Sequence, residues 1–386
     1  MNRNIVTGLD IGTASTRVVV CEYKNGNQIP QVLALVKKNS RGLRRGYIIA
    51  REEVAANIKE AISEAERVAG VKIKHITLSL GGISLESKIV EGGILVSRAE
   101  NEITQTDINR AIDASEGGVD TENKTIIHRL PIAYRLDGKK VLGNPEGLSG
   151  SKLEAQVLFI TYSKAHLKDF VTAVEEADLK VEDVVASPLA ASLCTTTKLQ
   201  KTAGCVIANI GSQTTSIVVF EESLPVSLRV FPIGSTDITN DIALGFQIPL
   251  EDAEKIKTTP GENMKSQKKL DQIITARLSD IFEFIENHLK KVGRAGLLPA
   301  GIIITGGGSG ISEIEEQAKD FFKLPAKVSI PTVTSNSRNQ IRDSAWSVAY
   351  GLCLFTSDNE PDEKISLQIV KKGFSNIIKW AKELLP

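Results

Sequence analysis

Three loops rich in glycine and threonine are spread along the chain, at Gly8 to Thr13, Asn209 to Thr215 and Thr305 to Gly308, each entered from a short apolar or β-branched run. A strand running into a glycine turn leaves backbone N–H groups free to approach phosphate oxygens with no Cβ in the way, so the turn acts as an anion nest. In GLDIGTASTR the strand Ile5 to Leu9 delivers Asp10, a carboxylate able to orient Mg²⁺ through water, while Gly12 and Thr13 can meet phosphate directly. Arg17 follows where a cation reaches the same phosphates. CVIANIGSQTTSIVVF repeats the pattern with Asn209, Gly211 and Thr214, as expected if two related half-domains face one nucleotide. In GIIITGGGSGISEIEEQAKDFF a strand, the glycines Gly306, Gly307 and Gly308 and a helix follow one another, and the glycines let backbone lie flat against an adenine or ribose. A single loop of this kind is an ordinary strand turn; three in this order point to a nucleotide cleft.

Alternating strands and helices must position these loops, which argues for α/β layers. Residues 5–36 read as two or three strands with a turn at Asn25 to Asn27, and residues 51–69 as an amphipathic helix with Val54, Ile58, Ile62, Ala65 and Val68 on one face. From about 76 to 163 the texture changes to that of a small α/β insertion, with a helix opened by Thr106 and Asp107. Helix 164–177, strand 181–186 and helix 188–196 follow, the last with Pro188 suited to its first turn. Residues 265–292 form a long helix with Leu270, Ile273, Ile274, Leu278, Ile281, Phe282, Ile285 and Leu289 on one face and a solvated charged face opposite.

At 386 residues the chain exceeds a single hydrophobic core. Its 47 basic and 47 acidic residues balance, and no basic patch interleaved with aromatics appears, so nucleic acid is not an expected partner. Cys21, Cys194, Cys205 and Cys353 are widely spaced in apolar segments, without metal or disulfide patterning, and read as buried thiols of a reducing cytosol. His75, His128, His166 and His288 share no ligand spacing. The N-terminus shows neither a signal-peptide core nor transit-peptide composition, and no apolar run reaches spanning length.

The C-terminal segment carries a separate signal. After CLFTS a polar stretch, DNEPDEK, reads as the start of a flexible linker over 357–370, and residues 371–386 form KKGFSNIIKWAKELLP. Wound as a helix, Phe374, Ile377, Ile378, Trp380, Ala381, Leu384 and Leu385 share one arc, and Lys371, Lys372, Lys379 and Lys382 rim it. Tryptophan beside lysines is an interfacial pattern, and each lysine contributes about 1 kcal/mol near anionic headgroups. One short helix binds lipid reversibly, so a filament carrying many of them would hold a membrane that a monomer barely holds.

Several stretches together resemble the FtsA family of actin-like bacterial cell-division proteins, within the actin, Hsp70 and sugar-kinase superfamily. EITQTDINRAIDAS followed by IIHRLPIAYRLDGKKVLGNPEGLSGSKLEAQVLFIT is similar to that family's 1C subdomain, and ITNDIALGFQIPLEDAEKIK to the stretch in which Glu254 and Lys257 of an AExxK pattern approach the nucleoside. KDFVTAVEEADLKVEDVVASPLAASL resembles the segment joining the halves, and RDSAWSVAYGLCLF the return helix. The resemblance implies two duplicated RNase H-like halves around a nucleotide cleft, with a 1C-type α/β insertion. Subdomain 1A would comprise 1–80, 164–190 and 340–356; 1C, 81–163; 2A, 191–239 and 299–339; and 2B, 240–298. It further implies ATP with Mg²⁺, self-assembly into filaments, binding of the FtsZ C-terminal peptide around 240–298, contact with late division proteins through 1C, and a peripheral site at the division septum on the cytoplasmic face of the inner membrane. Lys290, Lys291 and Arg294 are candidates for an acidic tail.

Two departures bear on chemistry. The family's second loop normally reads DIGGGT and here reads NIGSQT, so Asn209 stands where an aspartate would help organise Mg²⁺. At most a weak ATPase is expected, with no catalytic residue assigned. The spacing from Asp10 to Arg17 is closer to that of PilM or actin. A PilM-like pilus or secretion adaptor is the alternative reading; a small-molecule kinase would need a general base that the second loop lacks.

Overall fold

Apolar runs such as those around Val18 to Cys21 and Cys205 to Ile207 fit a sheet covered on both faces. The chain, described by a computed structural model over residues 4–24, 29–96, 102–258, 264–331 and 341–355, builds two such sheets. The first opens as an antiparallel meander of β1 (Asn4–Ile11), β2 (Ser15–Tyr23) and β3 (Gln31–Asn39). A short hairpin, β4 (Leu43–Arg44) and β5 (Tyr47–Ile48), precedes α1 (Arg51–Ala69), and β6 (His75–Leu80) returns parallel to β1. The chain then leaves for an inserted unit of β7 (Glu86–Leu95), α2 (Gln105–Glu116), β8 (Lys124–Leu136), β9 (Lys139–Val141) and β10 (Lys152–Ser163). Through α3 (Lys164–Glu176) it comes back to β11 (Lys180–Ala186), parallel to β6, and the sheet order is β11-β6-β1-β2-β3.

The second half repeats this plan. After α4 (Ser187–Thr195) and α5 (Lys198–Ala203), the strands β12 (Cys205–Ile210), β13 (Thr215–Glu221) and β14 (Leu224–Phe231) form another antiparallel meander. Three helices follow, α6 (Ser235–Phe246), α7 (Leu250–Thr258) and α8 (Met264–Lys291). β15 (Ile302–Thr305) runs parallel to β12, and α9 (Ile314–Phe322), β16 (Ala326–Val328) and α10 (Ser347–Phe355) complete the described chain. The order β16-β15-β12-β13-β14 is that of the first sheet, strand for strand. β14 is not an edge: Arg229 pairs with Glu86 of β7, and the sheet continues through β10 and β8 to β9.

Local chemistry accounts for the element ends. α1 stops at Gly70, whose left-handed φ of 67° lets its N–H reach the Glu66 carbonyl at 2.9 Å. Val68, expected on the buried face, is 47 % exposed in the last turn, and Ala61 joins the buried stripe instead. α2 begins a little earlier than its sequence suggests, because the Asp107 carboxylate accepts from the backbone N–H of Thr104 at 3.1 Å and from its hydroxyl at 2.6 Å, making Thr104 the cap. The long helix α8 buries Leu270, Ile274, Leu278, Ile281, Phe282, Ile285 and Leu289 against the second sheet, with Ile273 partly buried beside them. All four cysteines are buried and free.

The halves meet where α4 and α10 cross. A Cβ on Gly351 would lie 1.9 Å from the Ala190 carbonyl oxygen, and one on Gly8 would lie 2.3 Å from that of Ala349. These two glycines let α10 touch both α4 and β1. The core reflects this, for one continuous apolar cluster joins Leu9, Val18 and Ile58 to Ala190, Val348 and Leu352, and on to Ile207 and Phe220 of the second sheet.

Gly351→Ala is expected to cost about 1–3 kcal/mol through overpacking, more than a helical alanine returns, as measured by chemical denaturation; an unchanged midpoint would contradict the tight crossing. Asp183 of β11 offers a pH test. Burial pushes its carboxyl up to about 7, although the Val184 N–H donates to it at 2.7 Å. Unfolding between these limits therefore releases a proton, so the group's contribution is full below its ordinary value of 3.8 and is lost as pH rises through 7. Asp183→Asn should exceed the parent in stability by a margin that grows from about pH 4 and levels off above about pH 7, read from urea unfolding across that range.

Candidate functional site

The duplicated meanders place two equivalent hairpin turns face to face. In the first, the Gly12 N–H donates to the Ser15 carbonyl at 3.2 Å; in the second, the Gly211 N–H donates to that of Thr214 at 2.8 Å. Strand register carries the equivalence into side chains, since Asp10 pairs with Arg17 just as Asn209 pairs with Ser216. Between the turns lies a cavity of about 590 Å³, a size typical of small-molecule sites. Asp10, Gly12, Thr13 and Arg17 line it from the first half, and Asn209, Gly211, Thr214, Glu254, Lys257, Gly306 and Gly307 from the second. Gly308 is buried outside this lining, where a Cβ would meet Ile210 Cγ2 at 2.5 Å. The C-terminal residues Phe374, Ile377, Ile378, Lys379, Trp380, Lys382, Leu384 and Leu385 lie outside the described residues, as does the linker.

Charge in the cleft is arranged in a row. Asp10 on β1 pairs with Arg17 on β2, which pairs with Lys37 on β3, and all three line the cavity. Burial pushes the Asp10 carboxyl above the ordinary aspartate value, and the Ser79 hydroxyl, donating at 2.6 Å, and the Arg17 charge offset that only in part. The Arg17 guanidinium sits 5.8 Å from the Trp346 ring, and its buried Nε makes no hydrogen bond. A cation whose donor is held dry beside a glycine turn is suited to an anion entering the cleft.

The opposite wall is built by α6 and α7. Lys257 is buried and donates to the Ser235 carbonyl at 3.2 Å, the Thr239 hydroxyl at 2.8 Å and the Glu254 carboxylate at 2.7 Å, while Thr239 donates to Glu254 at 2.5 Å. Partial burial pushes the Glu254 carboxyl up, but the hydrogen bonds from Lys257 and Thr239 and the lysine charge outweigh it, leaving the group below the usual glutamate value. The third loop is equally constrained. Gly306 has φ +89°, and a Cβ there would lie 2.3 Å from Asn209 Oδ1 and 2.6 Å from the Ile210 carbonyl oxygen. Its own carbonyl accepts from Ser309 at 2.8 Å and Ser344 at 3.1 Å.

Lys37, Asn39, Ser79, Ser187, Ser216 and Thr236 also line the cleft, and none stands in a glycine motif. Strand register reveals two of them, since Lys37 and Ser216 reach the site by lying across from Arg17 and Asn209, while Ser187 and Thr236 are brought in by the first turns of α4 and α6. Asp10 lines the cleft as a carboxylate able to orient a cation through water, and no cluster of three metal-ligating side chains exists among the described residues.

A family model described as cell division protein FtsA matches residues 206–351, and one for the SHS2 domain inserted in FtsA matches residues 82–161. The chain is 29 % identical to cell division protein FtsA of Borreliella burgdorferi, covering 95 % of this chain and 94 % of that one. It is 27 % identical to FtsA of Pseudomonas aeruginosa, with 96 % and 94 % covered. Among solved structures it resembles the PilM–PilN type IV pilus biogenesis complex, with a TM-score of 0.67 at 19 % identity over 92 % of this chain and 99 % of that one. It also resembles MreB5 of Spiroplasma citri bound to ADP, with a TM-score of 0.54 at 14 % identity over 92 % and 96 %. The fold is thus actin-like, with the inserted α/β unit in place.

Removing the lysine of the α7 wall leaves three acceptors facing an apolar end. Lys257→Met should cost about 1–3 kcal/mol of stability by chemical denaturation, and Glu254→Gln less, because the neutral amide still accepts. Equal, negligible losses would mean that the cluster does not hold α7 in place.

Proposed function

Because the chain belongs to the FtsA family of cell-division proteins, we propose that it binds ATP in the cleft, polymerises on the cytoplasmic face of the inner membrane, and tethers FtsZ filaments there through its C-terminal helix. The observation that carries the nucleotide reading is the convergence of two equivalent glycine turns, with Arg17 and Lys37 on one side and the Lys257–Glu254 pair on the other, upon one cavity. Thr13, Gly211 and Thr214 would stand nearest the phosphates, and Glu254, Lys257, Gly306 and Gly307 nearest the nucleoside. MreB5, a relative in fold, was solved with ADP, which supports a nucleotide in a cleft of this architecture. The subdomain limits drawn from the sequence belong to the same proposal.

Hydrolysis is slow or absent in this reading. Asn209 brings an oxygen to the second turn without charge, which leaves the carboxylate of Asp10 beside the first turn, with Glu254 already paired to Lys257 on the opposite wall. Membrane attachment rests on the amphipathic pattern of residues 371–386, and no helix among the described residues is long and apolar enough to cross a membrane. For the FtsZ tail, Arg294 is a weaker candidate than its charge implies, since Glu221 accepts from it at 3.1 and 2.5 Å; Lys290 pairs with Glu286 at 3.6 Å.

The test is co-sedimentation with anionic liposomes and ATP, comparing the full chain with a version ending at Asp358, followed by electron microscopy and titration with an FtsZ C-terminal peptide. Pelleting by the full chain alone, lipid-coated filaments and saturable peptide binding are expected. Should both versions remain in the supernatant and ignore the peptide, a PilM-like adaptor role becomes the better account.

A further inference from the structure

We propose that Gln213 is a clasp residue, whose carboxamide closes the phosphate end of the cleft by bonding to the backbone of the β4–β5 hairpin. This rests on the reading of the cleft as a nucleotide site. The hairpin turns through two residues, Arg45 at φ +50° and Gly46 at φ +77°, between the paired ends Arg44 and Tyr47. Positive φ at both central positions makes the tight primed turn of two-residue hairpins. It points two consecutive N–H groups toward the phosphate turns. The Gly46 N–H donates to the Thr13 hydroxyl, in the first turn, at 3.1 Å. The Arg45 N–H donates to Gln213 Oε1, in the second turn, at 2.7 Å.

One small hairpin is thereby tied to both halves at the rim of the cavity. It is firmly seated, since a Cβ on Gly46 would lie 2.6 Å from the Gly82 Cα and one on Gly42 2.4 Å from the Ala50 carbonyl oxygen. With the donor fixed, formation of the bond depends on how near the second turn stands to the first. A glutamine has the reach to span that gap; glycine or alanine at 213 has no acceptor, and asparagine is one methylene shorter. The donor is backbone, so the Arg45 side chain has no part in the bond. Opening the cleft breaks the contact, and a nucleotide leaving past the hairpin must wait for that event.

The experiment uses the full chain and a ribose-labelled fluorescent ATP or ADP, displaced by excess unlabelled nucleotide in a stopped-flow instrument. Gln213→Ala and Gln213→Asn are expected to release nucleotide about fivefold faster, as loss of one ordinary hydrogen bond implies. Arg45→Gly, which keeps the N–H and suits the positive φ, should release at the parent's rate. Amide hydrogen exchange at Arg45 gives a second readout that needs no nucleotide, with protection in the parent and loss of it in Gln213→Ala. Parent-like release and exchange in both Gln213 variants would overturn the clasp while leaving the nucleotide site intact. Failure of the parent to bind either nucleotide would overturn the nucleotide reading and the clasp with it.

Discussion

Everything in this chain hangs on the crossing of α4 and α10. Each helix ends one half and lies on the loop-bearing face of the other half's sheet: α10 against β1 through Gly8, α4 against β12 and β13. Because Gly351 sits directly on the Ala190 carbonyl, the two helices have no room to separate or slide without losing the apolar cluster around them. One glycine turn is carried by each half, and the packing at the crossing holds both turns on the same cavity.

The cleft's chemistry follows from that geometry. The first half supplies a carboxylate and two cations in one strand-to-strand row, and the second answers with neutral Asn209 and Ser216 at the equivalent places. Duplication has produced a symmetric frame with asymmetric contents. The charges on the paired strands beside the glycine turns belong to the first half, whereas the second contributes turn backbone, the mutually paired Lys257 and Glu254 of the α7 wall, and a glycine loop pressed against Asn209. Such a division suits a ligand held firmly on one side and sensed from the other.

Much of this was legible in the sequence because it is local. The glycine turns follow apolar strands directly, the buried stripe of α8 repeats with helical period, and Glu254 and Lys257 are one turn apart on one helix. What escaped is set by pairing between distant segments. Lys37 belongs to the site only because β3 takes a register that puts it beside Arg17. Arg45 and Gly46 look like an ordinary turn until Thr13 and Gln213 are brought to them, and nothing near Glu86 or Arg229 announces that these two residues splice the inserted sheet to the second half. Gly308 failed as a lining residue for a related reason: its neighbour is Ile210, from a strand nearly a hundred residues earlier.

The splice at Glu86 and Arg229 changes how the molecule meets its own kind. By joining β14 to β7 it leaves four outer strands in the two large sheets of the described residues, and each is poorly suited to backbone pairing with another copy. β3 carries Lys37 and Lys38 just before its last residue, β11 has a register shift between Val181 and Asp183, β16 is three residues long with a central lysine, and β9 is three residues with Lys139 and Lys140. Charged, kinked or very short borders of this sort resist the ladder growth that leads to amyloid-like aggregates. Copies crowded together are thereby steered toward contacts between side-chain surfaces, which come apart again, and away from shared sheets, which do not.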